Sequence, residues 1–341
     1  MKLVRFSVPG DAGQKGSAAL RFGQEDSAAI RIGLLHEGRV APIGAQAAGL
    51  GPEADLWGRD MVALIRSFAQ AGPALRERRD RMFADGAGSL PVEQVRLLAP
   101  MLPSTILCAG SNYHAHNREK AGAPLSGKEP EFFIKTADCV VGPGDGIIHD
   151  PVLTQKLDSE TELAIVIGKE GRHIPVASAL DHVFGYSIVN DVTARDRQVR
   201  RRPDGTTWYE LGRGKVFDSS APFGPCIVTA DEIGDPQRLQ LRTRINGELR
   251  QSGNMRDMIW GCAELIHFFS INLTLRPGMV IITGTPAGTA WSSDKELGGH
   301  WMPPEDGEQL IPARGYNQPG DRIESEIEGI GVLRNPVVAR A

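Results

Sequence analysis

The stretch Leu157-Asp158-Ser159-Glu160-Thr161-Glu162-Leu163-Ala164-Ile165-Val166-Ile167-Gly168 combines an acidic start with a β-branched apolar run that ends at a glycine. The apolar run predicts a buried β-strand. Glu160 and Glu162 stand two residues apart at its start, and the two-residue period of a strand places both carboxylates on one face. Two like charges at that spacing repel each other, a penalty that a bound divalent cation removes. A solvent-facing strand edge is the alternative interpretation.

Short strands separated by Gly and Pro dominate the chain from Ser104 onward. The Asn246-Gly247 pair between two such strands predicts a hairpin with a type I′ turn. Residues 258–269 predict one of the few helices. Strands and helices do not alternate regularly, which argues against a Rossmann or TIM-barrel organisation and favours a β-rich sandwich or roll.

The first hundred residues have a different pattern. Strand-like runs flank a turn at His36-Glu37-Gly38 and predict a hairpin, and the Gly-, Ala- and Ser-rich residues 10–27 predict a loop. Residues 60–70 have helical apolar spacing, and we expect that helix to end at Ala71-Gly72-Pro73. A proline-marked boundary then predicts two domains, a small one at residues 1–102 and a larger one at residues 103–341.

Composition limits the possible partners. The chain has 341 residues, of which 41% are hydrophobic and 23% charged, as in folded globular proteins. A net charge of -4 argues against a nucleic-acid partner. The four cysteines have no metal-type or redox-type spacing, which favours reduced thiols and a cytoplasmic location. No apolar stretch reaches the ~18 residues of a membrane span, so we expect no membrane partner.

A second polar motif follows the predicted strand at residues 184–189. We expect a helix to begin at Asp191, and the spacing of Asp191, Arg195 and Gln198 would then place all three on one helix face. A carboxylate, a guanidinium and an amide on one face could bind a metal and an anionic substrate together. An N-cap aspartate with an i,i+4 salt bridge is the alternative.

A third motif contains a histidine and a glutamate at i,i+3 spacing, His116 and Glu119. A histidine oriented by a carboxylate is a common general base for activating water. His114 is a competing candidate on a different face, and a structural His–Glu pair is the alternative.

Two further segments add single candidates. Lys215, in a Gly-flanked loop, could polarise a carbonyl or stabilise an enolate. The turn Gly284-Thr285-Pro286 follows a buried strand and could present backbone N–H groups and a hydroxyl to a carboxylate. An ordinary surface lysine and a plain exit from a strand are the alternatives.

In this order, the motifs resemble the fumarylacetoacetate hydrolase superfamily, specifically its acylpyruvase or fumarylpyruvate hydrolase-like branch, from about residue 103 to residue 338. The resemblance implies a β-rich α+β fold: a mixed β-sandwich roll with a small N-terminal α+β domain, usually assembled as a homodimer. It also assigns the site residues: metal ligands Glu160, Glu162 and Asp191; catalytic residues His116, Glu119 and Lys215; and substrate-binding residues Lys135, Arg195, Gln198 and Thr285.

The expected activity is metal-dependent hydrolysis of a C–C bond in a small β-diketo acid through an enolate. Three carboxylates without a nearby cysteine favour Mg²⁺, with Mn²⁺ next. An oxaloacetate-type decarboxylase or a keto–enol isomerase on the same site is the first alternative. A non-catalytic metal-binding β-sandwich module is the alternative from another class.

One segment departs from the resemblance. Residues 289–318 stand where short members of the superfamily pass quickly to the last hairpin, and they include two tryptophans, Trp291 and Trp301. We expect this segment to fold over the site and to select the acyl end of the substrate through Arg314 or Tyr316. An arm at a dimer interface is the alternative.

Overall fold

Strand Thr161–Ile167 lies inside a large sheet, and all seven of its residues are buried. Alternate side chains enter two different cores: Ala164 and Val166 pack on one face of the sheet, and Leu163 and Ile165 on the other. A strand buried on both faces must be apolar throughout, which explains the uninterrupted run in the sequence.

The computed structural model describes residues 1–9, 30–44, 52–84, 88–119, 128–204, 206–304 and 307–341. The predicted loop at residues 10–27 therefore lies outside the described residues. The strands are β1 Lys2–Ser7, β2 Arg31–His36, β3 Arg39–Pro42, β4 Leu90–Pro91, β5 Arg96–Leu98, β6 Ile106–Gly110, β7 Glu131–Lys135, β8 Val140–Val141, β9 Ile147–His149, β10 Leu157–Asp158, β11 Thr161–Ile167, β12 Val183–Asn190, β13 Thr193–Ala194, β14 Val199–Arg201, β15 Thr207–Tyr209, β16 Ala221–Thr229, β17 Gln240–Ile245, β18 Glu248–Asn254, β19 Val280–Ile282, β20 Arg322–Ile327 and β21 Gly331–Ala339. The helices are α1 Ala54–Trp57, α2 Met61–Arg66, α3 Phe68–Ala84, α4 His114–Arg118, α5 Arg195–Gln198, α6 Leu211–Lys215, α7 Ala230–Ile233 and α8 Cys262–Asn272.

The strands form two main sheets. The larger has the order β4-β3-β2-β1-β16-β12-β11-β19-β6-β7, with β5 and β8 paired to it at the side. The second has the order β18-β17-β20-β21-β9. Most pairs are antiparallel, and β19–β6 is parallel. This β-rich α+β architecture with mixed sheets confirms the predicted fold class.

The N-terminal strands continue the larger sheet, because β1 pairs with β16 on one side and with β2 on the other. The predicted hairpin is present, and Glu37 and Gly38 at its turn both have positive φ. The division into domains at residue 102 stays a prediction.

The sequence predicted that the N-terminal helix ends at Ala71-Gly72-Pro73, and this prediction was wrong. The chain instead breaks at Ser67 and continues as α3 through Pro73 to Ala84. A proline inside a helix costs about 3 kcal/mol. Ala71, Leu75 and Met82 are buried from this helix against the sheet, and that packing offsets the penalty.

The second predicted helix begins four residues late, at Cys262. Asn112 holds the preceding backbone in a non-helical form: its Oδ1 accepts from Trp260 N at 2.8 Å, and its Nδ2 donates to Trp260 O at 2.9 Å. The side chain of Glu264 caps the helix by accepting from Gly261 N at 2.6 Å. None of the described helices has the length and apolar character needed to cross a membrane.

Asn112→Ala should reduce the free energy of unfolding by about 2–4 kcal/mol, because each buried polar group left without a partner costs about 1–3 kcal/mol. Asn112 is fully buried, and besides Trp260 it also binds Thr283 O at 2.8 Å. Urea unfolding measures the change. Asn272→Ala, on the exposed side of α8, is the matched control and should change stability by less than about 0.5 kcal/mol. Equal effects of the two substitutions would contradict this account.

Candidate active site around a buried acidic triad

Three carboxylates converge beside the larger sheet. Glu162 lies on β11, Glu160 just before it, and Asp191 directly after the neighbouring strand β12. The antiparallel pairing of β11 with β12 brings them together, and Asp191 N donates to Glu160 O at 2.7 Å. One oxygen from each side chain lies within 4.8 Å of the others. Opposite ligands of an octahedral Mg²⁺ are separated by about 4.2 Å, given ligand distances of about 2.1 Å.

The ammonium of Lys215 contacts two of these carboxylates. Lys215 Nζ lies 2.5 Å from both Glu160 Oε2 and Asp191 Oδ2. The short helix α6 brings the lysine there, so the prediction of a Gly-flanked loop was wrong for the residues up to Lys215. Phe133 packs under the ammonium, with its ring centroid at 5.3 Å.

Lys135 also contacts this group of carboxylates, through Asp191. Its ammonium is fully buried, lies 3.0 Å from Asp191 Oδ1, and donates to Ser220 O and to the carbonyl oxygen of Lys215. These contacts fix Asp191 and the segment that carries Lys215. Lys135 is absent from the described lining of the cavity, and its role in substrate binding stays a prediction.

The guanidinium of Arg195 is held by three side chains. Its Nε donates to Asp158 Oδ2 at 2.8 Å, Nη1 to Gln198 Oε1 at 2.9 Å, and Nη2 to Glu160 Oε1 at 2.5 Å. Arg195 and Gln198 share helix α5 as expected. Asp191, in contrast, does not share this helix face, because β13 separates it from α5.

The pairing of β13 with β10 explains that difference. Thr193 and Ala194 pair with Asp158 and Leu157, so local helix formation gives way to a sheet contact. The same contact brings Asp158 to Arg195. The sequence analysis did not select Asp158, although it stands in the acidic motif two residues before Glu160.

His116 and Glu119 form the expected pair. His116 Nδ1 lies 3.0 Å from Glu119 Oε2, and both side chains are buried. The other carboxylate oxygen of Glu119 accepts from Gly288 N at 2.7 Å, and the carbonyl oxygen of Glu119 accepts from His300 N at 2.9 Å. The segment from Gly288 to His300 therefore holds the carboxylate that orients His116.

Electrostatics divide the triad into unlike members. Burial alone would raise the pKa of Glu160, but Arg195 and Lys215 hold that pKa well below its usual value. Burial, Asp191 and Glu160 raise the pKa of Glu162 well above the ordinary value, because Lys215 and the hydrogen bond from Gly284 N lower it by less. For Lys215, burial acts to lower the pKa, yet Asp191 and Glu160 outweigh it and raise the pKa.

The buried charges do not balance. The described residues bury five carboxylates and three permanently cationic side chains, and all eight belong to this site: Glu119, Asp158, Glu160, Glu162 and Asp191 against Lys135, Arg195 and Lys215. With all five carboxylates ionised and His116 neutral, the excess is two negative charges, the charge of one divalent cation. Asp191 Oδ1 lies 3.0 Å from the Lys135 ammonium but has hydrogen-bond geometry with no donor of the described residues. Oxygen donors suit a hard cation, so the triad fits a divalent metal ion.

A cavity of about 30 Å³ lies against these groups. Its polar lining includes the triad, His116, Lys215 and Arg195, and its apolar wall includes Phe133, Tyr209, Leu211 and Trp291. Thr285 also lines the cavity, but its hydroxyl donates to Thr161 O and accepts from Gln251 Nε2, both at 2.9 Å.

The segment at residues 289–318 reaches this cavity through Trp291, not through Arg314 or Tyr316, neither of which lines it. Arg314 is exposed and lies 3.5 Å from Glu248, and Tyr316 donates to Asp294 Oδ2 at 2.6 Å. Trp291 was named from the sequence as part of this segment, but Arg314 and Tyr316 were predicted as the substrate contacts. Nothing in the sequence indicated Tyr209.

Comparisons with known proteins agree with this geometry. The C-terminal domain of fumarylacetoacetate (FAA) hydrolase matches residues 105–338. A human mitochondrial oxaloacetate tautomerase is 39% identical over 275 residues, covering 80% of this chain and 79% of that protein. The oxaloacetate tautomerase of Bacillus subtilis is 39% identical over 254 residues, covering 74% of this chain and 76% of the relative.

Solved structures extend the likeness to the whole chain. A fumarylacetoacetate hydrolase from Exiguobacterium antarcticum is 35% identical with a TM-score of 0.70, and each chain is covered completely. A maleylpyruvate hydrolase from a Sphingobium species, solved with manganese(II) and pyruvate, is 28% identical with a TM-score of 0.69 and the same coverage. The chain belongs to the fumarylacetoacetate hydrolase family.

Proposed function

We propose that this protein is a metal-dependent keto–enol tautomerase of a short 2-keto diacid of the oxaloacetate type. The observation that carries the proposal is a proton-transfer pair, His116 and Lys215, beside a carboxylate triad in one small cavity. The identity of about two fifths with two oxaloacetate tautomerases, over most of both chains, supports the same reaction.

This proposal replaces C–C bond hydrolysis, the first expectation from the sequence, with its stated alternative. Hydrolysis needs a substrate with an acyl group and also an attacking water in the same cavity. Two relatives at 39% identity are oxaloacetate tautomerases, which favours the reaction with fewer participants. Tautomerisation only moves a proton between the oxygen on C2 and carbon C3.

His116 is assigned the proton at C3. With its Nδ1 facing Glu119, the imidazole is held so that Nε2 can take a proton from C3 of the keto form, and return it in the reverse direction. The electron pair of the broken C–H bond forms the C2–C3 double bond, and the carbonyl electrons move to the oxygen on C2. Lys215 stabilises the negative charge that develops on that oxygen and donates the proton that completes the enol, after which solvent removes the proton from His116 and restores that of Lys215.

Arg195 and Gln198 are assigned a carboxylate of the substrate, and the Gly284 turn lines the same cavity. A bound divalent cation, which we propose is Mg²⁺ or Mn²⁺, supplies Lewis acidity to the substrate oxygens. Glu160, Glu162 and Asp191 would hold it.

Hydrolysis of an acylpyruvate is the second candidate, because a His–Glu pair also suits the activation of water and a structural relative is a maleylpyruvate hydrolase. Following the enol absorbance of oxaloacetate separates the two reactions. A tautomerase removes it without releasing pyruvate, whereas a hydrolase releases pyruvate from an acylpyruvate. No effect on the enol would refute the first proposal.

We also propose a homodimer, with the outer face of β7 as its surface. Strand β7 ends the path of the larger sheet, and Phe132 and Ile134 are exposed on it by 44% and 43%. Exposed apolar side chains on a sheet edge favour pairing with another surface. A cytoplasmic location stays a prediction, and the human relative is named as mitochondrial.

Glu162→Gln should weaken Mn²⁺ binding at least about a hundredfold, because even groups that only orient metal ligands contribute 10–100-fold. Isothermal titration with Mn²⁺ measures this, and Glu170→Gln, an exposed residue beyond the same strand, is the matched control. The amide keeps an oxygen for Gly284 N, so the local backbone bond of 2.7 Å can persist. Unchanged Mn²⁺ affinity would remove Glu162 from the ligand set.

In the metal-free protein, Glu162→Gln should increase stability at pH values above the ordinary pKa of a glutamate. The pKa of Glu162 is raised in the folded state, so the folded state binds more protons and loses stability as pH rises above the ordinary value of 4.5. Glu162→Gln removes this loss and should flatten the decline of the unfolding temperature with pH. An identical pH dependence in both proteins, measured in EDTA, would contradict the charge assignment.

His116→Ala should slow ketonisation of oxaloacetate by roughly a hundredfold or more, the usual contribution of a general base. Mn²⁺ affinity should stay within about twofold, because the imidazole is not a proposed ligand. His114→Ala, two residues away and exposed, is the matched control and should leave the rate unchanged. Deuterium uptake at C3 in heavy water should fall with the rate. Uptake at the wild-type rate would show that another group moves the proton.

A further inference from the structure

Trp291 occupies a position that the proposed chemistry does not explain. It lies in the short 3-10 helix Ala290–Ser293, at the start of the segment that departs from shorter family members. Only 3% of it is exposed, although it lines the cavity that holds the triad and His116. A large aromatic side chain placed against reacting groups determines how much space the substrate has.

The indole is fixed from several sides. Its ring centroid lies 5.2 Å from the guanidinium carbon of Arg195, a cation–π distance, and 5.8 Å from the ring of Tyr209 in an edge-on arrangement of 79°. Its Nε1 donates to Leu297 O at 3.1 Å. Its backbone N donates to Asp158 Oδ2 at 3.1 Å, the oxygen that also binds Arg195. The ring therefore cannot turn away without breaking contacts to the arginine site.

We propose that Trp291 is the specificity-determining residue of this site and restricts it to 2-keto acids without a bulky group on C3. The inference rests on the proposed function, in which Arg195 receives a carboxylate of the substrate. The indole covers one face of that guanidinium, and Tyr209 supports the indole from its edge. A short diacid that reaches Arg195 ends at this wall, whereas an aryl or long acyl group would occupy the same volume as the indole.

Buried carboxylates outside the segment bind the backbone at its start. Asp158 accepts the backbone N–H groups of Ala290 and Trp291, and Glu119 accepts that of Gly288. Two buried carboxylates thus fix the backbone on which the indole stands. The wall is rigid because it is attached to the groups that orient Arg195 and His116.

The test compares two enols in Trp291→Ala: oxaloacetate and phenylpyruvate, whose aryl group is on C3. The kcat/KM for phenylpyruvate relative to oxaloacetate should rise roughly ten- to a hundredfold, the range that pocket size alone provides. Trp301→Ala, a half-buried tryptophan of the same segment outside the described lining of the cavity, is the matched control and should leave the ratio unchanged. Should Trp291→Ala not fold, Trp291→Leu makes the same comparison.

A binding measurement separates this inference from the proposed function. Calorimetry on the Mn²⁺-loaded proteins uses phenylpyruvate and oxalate, a short dicarboxylate, as ligands. The affinity for phenylpyruvate relative to oxalate should be at least about tenfold higher in Trp291→Ala than in the wild type. If that gain is found and the wild type is inactive on oxaloacetate, the role of Trp291 in specificity is supported and the proposed tautomerase activity is refuted. A wild type active on oxaloacetate, with both ratios unchanged in Trp291→Ala, would overturn the wall and leave the tautomerase standing. Equal shifts in Trp291→Ala and Trp301→Ala would also overturn it.

Discussion

The structure depends on an unbalanced group of buried charges. Burying an unpaired carboxylate is costly in a medium of low polarity, so each one needs a cation or several hydrogen bonds. Asp158 and Glu160 share Arg195, and Asp191 has both lysines. Among the described residues Glu162 accepts a hydrogen bond from Gly284 N and has no ion pair within 4 Å, and the attraction of Lys215 does not outweigh burial and its two like-charged neighbours. The fold keeps this carboxylate buried although it destabilises the metal-free protein, which is understandable when the triad serves to bind a cation.

The sheet supplies the rigidity that such a group needs. Glu162 stands on a strand that is paired on both sides, with β12 and with β19. Asp191 follows the adjacent strand β12, and Lys135 is the last residue of β7, which is three pairings from β11, beyond β19 and β6. The paired strands fix the backbone at Glu162 and next to Glu160 and Asp191, so the three carboxylates are held close together despite their repulsion.

Local sequence rules predicted those parts of the site that depend on one element. The two-residue period placed Glu160 and Glu162 together, and the i,i+3 spacing placed His116 beside Glu119. The rules failed where tertiary contacts override local preference: the pairing of β13 with β10 separates Asp191 from helix α5, and packing carries α3 through Pro73. The position of Lys135 beneath the triad could not be predicted either, because it depends on a carbonyl oxygen from residue 215, eighty residues along the chain.

The resemblance to a family predicted the fold and the residue types of the site, but it ranked hydrolysis first, and the reason is physical. A metal triad, a His–Glu pair and a lysine stabilise an enolate whichever bond is broken to form it. What distinguishes hydrolysis from proton transfer is whether an acyl group and a water fit beside the enolate, and that depends on the apolar wall of the cavity. Here the wall comes from Tyr209, Leu211 and Trp291, outside the shared motifs. Glu119 and Asp158 accept hydrogen bonds from the backbone at Gly288, Ala290 and Trp291, so the wall residue Trp291 is attached to the carboxylates that contact His116 and Arg195. A change in this segment would alter both together, so reaction type in this family cannot be assigned from the shared motifs alone.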